Sequence, residues 1–387
     1  MPESLEIQLQ NQTNSEEVYA YITGLALQDN NARVLVQANG TDLYFPSSPD
    51  DIMSELEEDC AIPLGPPGST TTARIPQLAG GRIWFSVDGK LTFLLNPGPA
   101  LVEPSPFNPS DPNADVDFAF AELTLNRDQL FANISYVDFV PRLPVALTLQ
   151  TEGGEVQHVS GMAADGLERV CEALRAQTEA DGMPWDQLIL NQQSSGDGAP
   201  LRALNPTHAN AVGASFDGYY EAYVDSVWER WGAEPDSLSV NTQASAGTLA
   251  GFVDENGALV VGDEVFEKPD TRDIFGCNSG PFTTGRNQTR NAIIPRLAAG
   301  FVRSSLLESA EQPSDPSTFY LADPTNHYSR IVHEVNLDNK GYAFAYDDVQ
   351  PDGGADQSGK VNAGDPAIFI VAVGGNNAYA GDEMQEF

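Results

Sequence analysis

The sequence predicts a β-rich chain of two domains, a β-sandwich or barrel with a mixed α/β segment inserted into it. Three observations predict it. Residues 1–160 carry short apolar runs that alternate with polar residues and are broken by Asn, Asp, Gly and Pro. Helical spacing begins only near residue 161. The tail after residue 335 returns to β-like runs. The expected division is therefore 1–160 with 336–387 as the β domain, and 161–335 as the mixed domain. A length of 387 residues suits two domains.

Leu5, Ile7 and Leu9 alternate with polar residues, as a half-buried strand requires. Segments 18–27 and 34–36 are further strands. Segments 82–87 (RIWFSV) and 91–95 (LTFLL) flank Asp88-Gly89, which predicts a hairpin. Segment 97–113 is rich in Pro, Asn, Ser and Asp and reads as a loop. Segment 117–126 reads as a strand. A first helix is capped by Asp165 with Glu168 as its box partner, and Gly182 and Pro184 end it. Leu167, Val170, Cys171 and Leu174 lie on one face of it. A second helix is expected over 216–231. A third, over 292–307, has Pro295 in its first turn, where proline is tolerated. A short one covers 328–335. Segments 249–253 and 259–265 form strands around Asn256-Gly257, and 341–346 and 367–373 are the closing strands.

The formal charge is −37, from 19 basic and 56 acidic residues. Such a surface repels polyphosphates, so neither nucleic acid nor an anionic membrane is an expected partner. A neutral polymer such as a polysaccharide is not excluded. No apolar run is long enough to span a bilayer. The opening MPESLEIQLQNQ has neither a basic nor an apolar leader region, so no signal peptide is expected there. Cys60, Cys171 and Cys277 fit one disulfide plus a free thiol, or three buried thiols. Sequons occur at Asn11, Asn39, Asn133 and Asn287.

The segment 116–140 is the most informative. On the strand 117–126, Ala119, Ala121, Leu123 and Leu125 share one face, and Phe118, Phe120, Glu122, Thr124 and Asn126 the other. Ring, carboxylate, hydroxyl and amide in a row suit a sugar; they also fit an ordinary solvated face. Asp138 stands among Tyr136, Val137 and Phe139, where a carboxylate costs free energy unless bonded, exposed in a cleft, or used. Two carboxylates facing across a groove are what glycoside hydrolysis needs. Asp347 and Asp348 fit sugar hydroxyls, Ca²⁺ or an acidic turn. The histidines are scattered, and no zinc, serine-hydrolase or phosphate-loop motif occurs.

Several runs resemble glycoside hydrolase family 64, and within it the fungal endo-β-1,3-glucanases. They are 79–105, AELTLN at 121–126, NISYVDFV at 133–140, GYYEAYVDSVWERW at 218–231, NAIIPRLAAGF at 291–301, 326–349 and AIFIVAVGG at 367–375. The resemblance implies a thaumatin-like β domain beside a mixed α/β domain, with a glucan groove between them. It implies inverting hydrolysis of β-1,3-glucan and release of short laminari-oligosaccharides such as the pentaose. By motif, the general acid falls on Glu122 and the general base on Asp138. Sugar contacts fall on Thr124, Asn126, Phe131, Asp347 and Asp348, and Arg82 matches by segment. No cofactor or metal is implied. An inverting pair is expected at about 6.5–9.5 Å. A glycan on Asn133 would crowd the groove, so Asn133 is expected to be unmodified. The expected partner is the glucan alone, the expected state a monomer, and the expected location the cell exterior or wall, with the intracellular alternative open. The competing expectation is a glucan-binding protein without catalysis.

Overall fold

The computed structural model describes residues 3–194, 198–232 and 237–375. The chain is β-rich, with several sheets. Alternation in Ser4–Asn11 buries Leu5, Ile7 and Leu9 and leaves Glu6 exposed. This strand sits in a five-stranded sheet between Thr70–Pro76 and the late strand Pro366–Val373, to which it runs parallel. Val145–Thr151 and Val156–Val159 complete that sheet. The larger, eight-stranded sheet carries Val18–Ala26, Leu78–Val87, Asp117–Leu125 and Leu130–Ile134 at its centre, with Lys360–Ala363 at one edge. The core lies between the two sheets. Ile7, Leu9, Leu147, Leu149, Phe369 and Val371 pack there in one cluster with Ile83, Phe85, Ala121, Leu123 and Ile134.

Phe139–Pro141 leaves the large sheet and pairs with Pro200–Leu204 in a small sheet. A third region holds the strands from Leu238–Asn241 to Glu264–Phe266. The helices Gly166–Asp181, Glu221–Gly232, Gln288–Val302 and His327–Val335 each bury one apolar face. In the first, Leu167, Val170, Cys171 and Leu174 face inward, and Gly182 closes it at φ 74°, a conformation that suits glycine.

Several expectations need correction. The hairpin over 82–95 does not form. Leu78–Val87 has both edges taken, by Val18–Ala26 and Asp117–Leu125, so nothing remains for 91–95 to pair with. Leu91 and Phe93 are instead buried beside Tyr21 and Trp84, and Leu94–Asn96 pairs with Ala100–Val102 inside the expected loop. Segment 341–346 makes only a bridge from Tyr342 to Ser135, because the Asp347 carboxylate accepts the Ala343 amide and curls the chain. Asp165 caps without a side-chain bond, so its capping box is absent. The second helix starts at Glu221, not at 216. The third starts at Gln288, where Asn287 accepts from the Arg290 amide; Pro295 is thus mid-helix. The run 259–265 is divided by a turn into Leu259–Val261 and Glu264–Phe266. All three cysteines are free and buried.

Candidate active site

The register of the large sheet builds one row of polar side chains. Thr23, Arg82, Glu122, Asn133 and Lys360 are successive cross-strand partners. Thr124 and Phe131 face each other in the next row. A register shift occurs where Leu78–Gly81 passes both of its neighbours, beside the cleft. Gly80 takes φ 52° there, and a Cβ on Gly81 would press on Leu123. Such bulges re-aim side chains next to functional sites; here Arg82 follows directly.

On the opposite side of the Glu122 row, Tyr21, Trp84 and Phe120 form a buried aromatic row. Phe118 and Phe120 were expected on the wet face and are buried. Arg202 covers Phe118 at 4.5 Å, Phe139 packs on both rings, and Arg82 lies 4.8 Å over Phe120. The face is open only from Glu122 onward. A cleft of 480 Å³ begins there, lined by Arg33, Arg82, Glu103, Glu122, Thr124 and Phe131, with Asn133 at its floor. A larger cavity of 620 Å³ surrounds the Asp117–Arg142 ion pair, but no aromatic ring lines it.

Arg82 donates through Nε and Nη2 to Glu122 Oε1, at 3.3 and 3.2 Å, and through Nη1 to Glu103 Oε2 at 2.9 Å. Burial pushes the Glu122 carboxyl above its ordinary value, Arg82 opposes the shift, and the negative charge of Asp138 adds to it. Asp138 therefore acts electrostatically on Glu122 although it sits outside the sheet. Its backbone carbonyl accepts the Asn205 amide, and its Oδ1 meets His208 Nε2 at 3.0 Å. His208 is stacked on Phe107, 4.1 Å between ring centres.

The other expected residues divide. Thr124 and Phe131 line the cleft, with Lys360 Nζ 5.9 Å from the Phe131 ring. Asn126 holds the hairpin turn: its Oδ1 accepts the amides of Asp128 and Gln129. Asp348 is half-buried beside Tyr342, whose phenol also senses Glu122. Asp347 does not reach the cleft. Its side chain is 0% exposed and is held by Arg303, by His333 and by the Ala343 amide. Asn133 is largely buried where it lines the cleft, and Asn11 is fully buried with its side-chain amide donating to the Ser15 and Gly65 carbonyls. Among the described residues no three His, Cys, Asp or Glu side chains gather as a metal site. Among the described residues no helix is long and apolar enough to cross a membrane.

Residues 3–373 match the family model described as beta-1,3-glucanase, glycoside hydrolase family 64. The chain belongs to that family. Two curated relatives are named glucan endo-1,3-beta-glucosidase. That of Cellulosimicrobium cellulans is 31% identical over 78% of this chain and 53% of its own length. That of an Arthrobacter species (strain YCWD3) is 32% identical over the same shares, 78% and 53%. The chain thus spans about half the length of the curated relatives it matches. It also superposes on a laminaripentaose-producing beta-1,3-glucanase crystallised with laminaritetraose. There the TM-score is 0.81 at 30% identity, covering 96% of this chain and 99% of that one. A family 64 domain from Clostridium beijerinckii, with TM-score 0.73 at 22% identity over 96% of this chain and 98% of that one, shares the fold. The named relatives are bacterial.

Sequence reasoning passed over three residues of this candidate site: Glu103, His208 and Tyr342. Glu103 lay in a stretch read as loop, and His208 was one of four scattered histidines. Only long-range folding brings them to Glu122 and Asp138.

Proposed function

We propose that this chain is an inverting endo-β-1,3-glucanase that releases short laminari-oligosaccharides such as the pentaose. The observation that carries this reading is Glu122, a carboxyl raised by burial and by Asp138, opening into a cleft with a hydroxyl and a ring beside it. Glu122, protonated, donates to the glycosidic oxygen as the bond to the anomeric carbon breaks. Asp138, ionised, takes a proton from a water that attacks the opposite face of the ring. His208 occupies one Asp138 oxygen, which leaves Oδ2 to face that water. Room for the water sets the expected carboxyl separation at about 6.5–9.5 Å. Thr124, Phe131 and Asp348 contact the sugars, with the exposed edge of Asn126 beside them, while Asp347 serves by ordering the loop that carries Asp348 and Tyr342. Arg82 is read as holding Glu122 rather than binding sugar.

The finer architecture belongs to the same proposal. A thaumatin-like β domain, 1–160 with 336–387, carries an inserted domain, 161–335. Two facts support it: both tail strands join the N-terminal sheets, and the ends of the insert meet, Leu337 N donating to Gly161 O at 2.9 Å. We further propose a monomer acting on extracellular or wall glucan, like the fungal members, with no nucleic-acid partner.

The test is hydrolysis of a linear β-1,3-glucan followed by anomer-resolved NMR of fresh product. The expected product is the α-anomer. Glu122→Gln and Asp138→Asn are expected to lose at least about a thousandfold in kcat while still binding glucan. Binding without release by the wild type would move the function to a non-catalytic glucan-binding protein.

A further inference from the structure

We propose that Glu103 is a positioning residue of the catalytic centre, which shares the Arg82 guanidinium with Glu122 and so fixes both the placement and the charge balance of the acid. The inference rests on Glu122 being the general acid. A guanidinium directly opposite an acid that must carry a proton presents a conflict. With Arg82 and Glu122 alone, the pair is neutral when Glu122 is ionised. Protonating Glu122 would then leave an uncompensated cation in a partly desolvated cleft. Glu103 removes the conflict. With it, the protonated state is the neutral one, because Arg82 and Glu103 cancel.

The geometry follows that logic. The shortest guanidinium contact, 2.9 Å, goes to Glu103, not to Glu122. Both Arg82 contacts to Glu122 fall on Oε1, so Oε2 lies outside them and is the oxygen placed to carry the proton. Glu103 is itself held. Its Oε1 accepts from the Thr23 hydroxyl at 3.1 Å, and Thr23 Oγ1 in turn accepts from the Trp84 indole at 3.2 Å. Thr23 is fully buried. The Trp84 and Phe120 rings support the guanidinium at 5.4 and 4.8 Å. Arg82 is therefore fixed by two carboxylates and two rings, and cannot follow Glu122 alone.

Other charged or titratable groups face Glu122 from the surrounding elements. Arg33 comes from Ala32–Val36, Asp138 from the loop before Phe139–Pro141, Tyr342 from the tail, and Lys360 from the edge strand beyond Asn133. None of them changes in the variants below, so each difference reports the Glu103–Arg82 pair.

The experiment compares kcat/KM against pH for wild type, Glu103→Gln, Glu103→Asp and Arg82→Met on a soluble β-1,3-glucan. A carboxyl-¹³C NMR titration of Glu122 accompanies it, with the signal assigned through Glu122→Gln. Glu103→Gln keeps the shape and removes the charge, so the alkaline limb and the Glu122 titration are expected to move down by about one pH unit. Arg82→Met is expected to move both up. Glu103→Asp is expected to restore most of the wild-type position. A Glu103→Gln limb that stays in place or moves up overturns the proposal, whatever the activity. Thermal melts report folding; if Arg82→Met does not fold, the Glu103 variants decide alone. Should Glu122→Gln keep its activity, the acid assignment fails, and the NMR titration still reads whether Glu103 governs the charge on Glu122.

Discussion

Asp138 is fixed at both its backbone and its side chain by one short stretch, residues 205–208. On the proposed mechanism, that anchor would leave the second Asp138 oxygen to serve as the base. His208→Ala is expected to lower kcat about tenfold with little change in KM, the worth of one hydrogen bond to a charged group. His208→Gln, which keeps a donor, is expected to recover most of that loss; equal activity in wild type and His208→Ala would show that the contact does not orient the base. Asp347 works differently. Burial alone would raise its carboxyl, but His333 and Arg303 outweigh burial and hold it below the ordinary carboxylate range. For His333, burial lowers the imidazole, and Asp347 outweighs that and raises it. A depressed acid contributes stability that is lost as pH falls through its folded value. A raised histidine contributes stability that is lost as pH rises through its own. The cluster is therefore expected to favour the fold most between the carboxylate and imidazole ranges, weakening as acid protonates Asp347 and as rising pH deprotonates His333. Asp347→Asn strands Arg303 in the core, and denaturant unfolding is expected to show a loss of about 3–5 kcal/mol.

Among the elements, those with a clear period were legible and those defined by a neighbour were not. The strand holding Glu122 and the helix face of Leu167, Val170, Cys171 and Leu174 formed where alternation and helical spacing place them. The 82–95 hairpin failed because a turn signal says nothing about whether a strand edge is free. Phe118 and Phe120 were misplaced for a related reason: alternation gives two faces, but a second layer, Arg202 with Phe139, decides how much of a face stays wet. The junction between strands and helices turns on Gly161. Its φ is +67°, and a Cβ there would strike the Val145 carbonyl. Gly161→Ala is expected to cost at least about 2 kcal/mol by thermal or denaturant unfolding. An unchanged midpoint would mean that the junction relaxes freely.

At the scale of the whole molecule, a net charge of −37 repels itself and is tolerated because the two-sheet core is large. Added neutral salt screens that repulsion, so the melting temperature is expected to rise between low and roughly 0.5 M salt; a falling midpoint would mean that ion pairs, not repulsion, dominate the balance. The sequence by itself determined the β-rich class, the helical faces, the strand that presents Glu122 and Thr124, and the runs that mark family 64. These are set by local periodicity and by contiguous residues. Only the tertiary structure decided that Arg82 bridges Glu103 and Glu122, that His208 holds Asp138, and that Asp347 lies in the core while Asp348 does not. Glu122 meets Arg82 across 40 positions, and Asp138 meets His208 across 70. Such meetings depend on strand order, and strand order is fixed by how the two sheets close around their core, which no local pattern records.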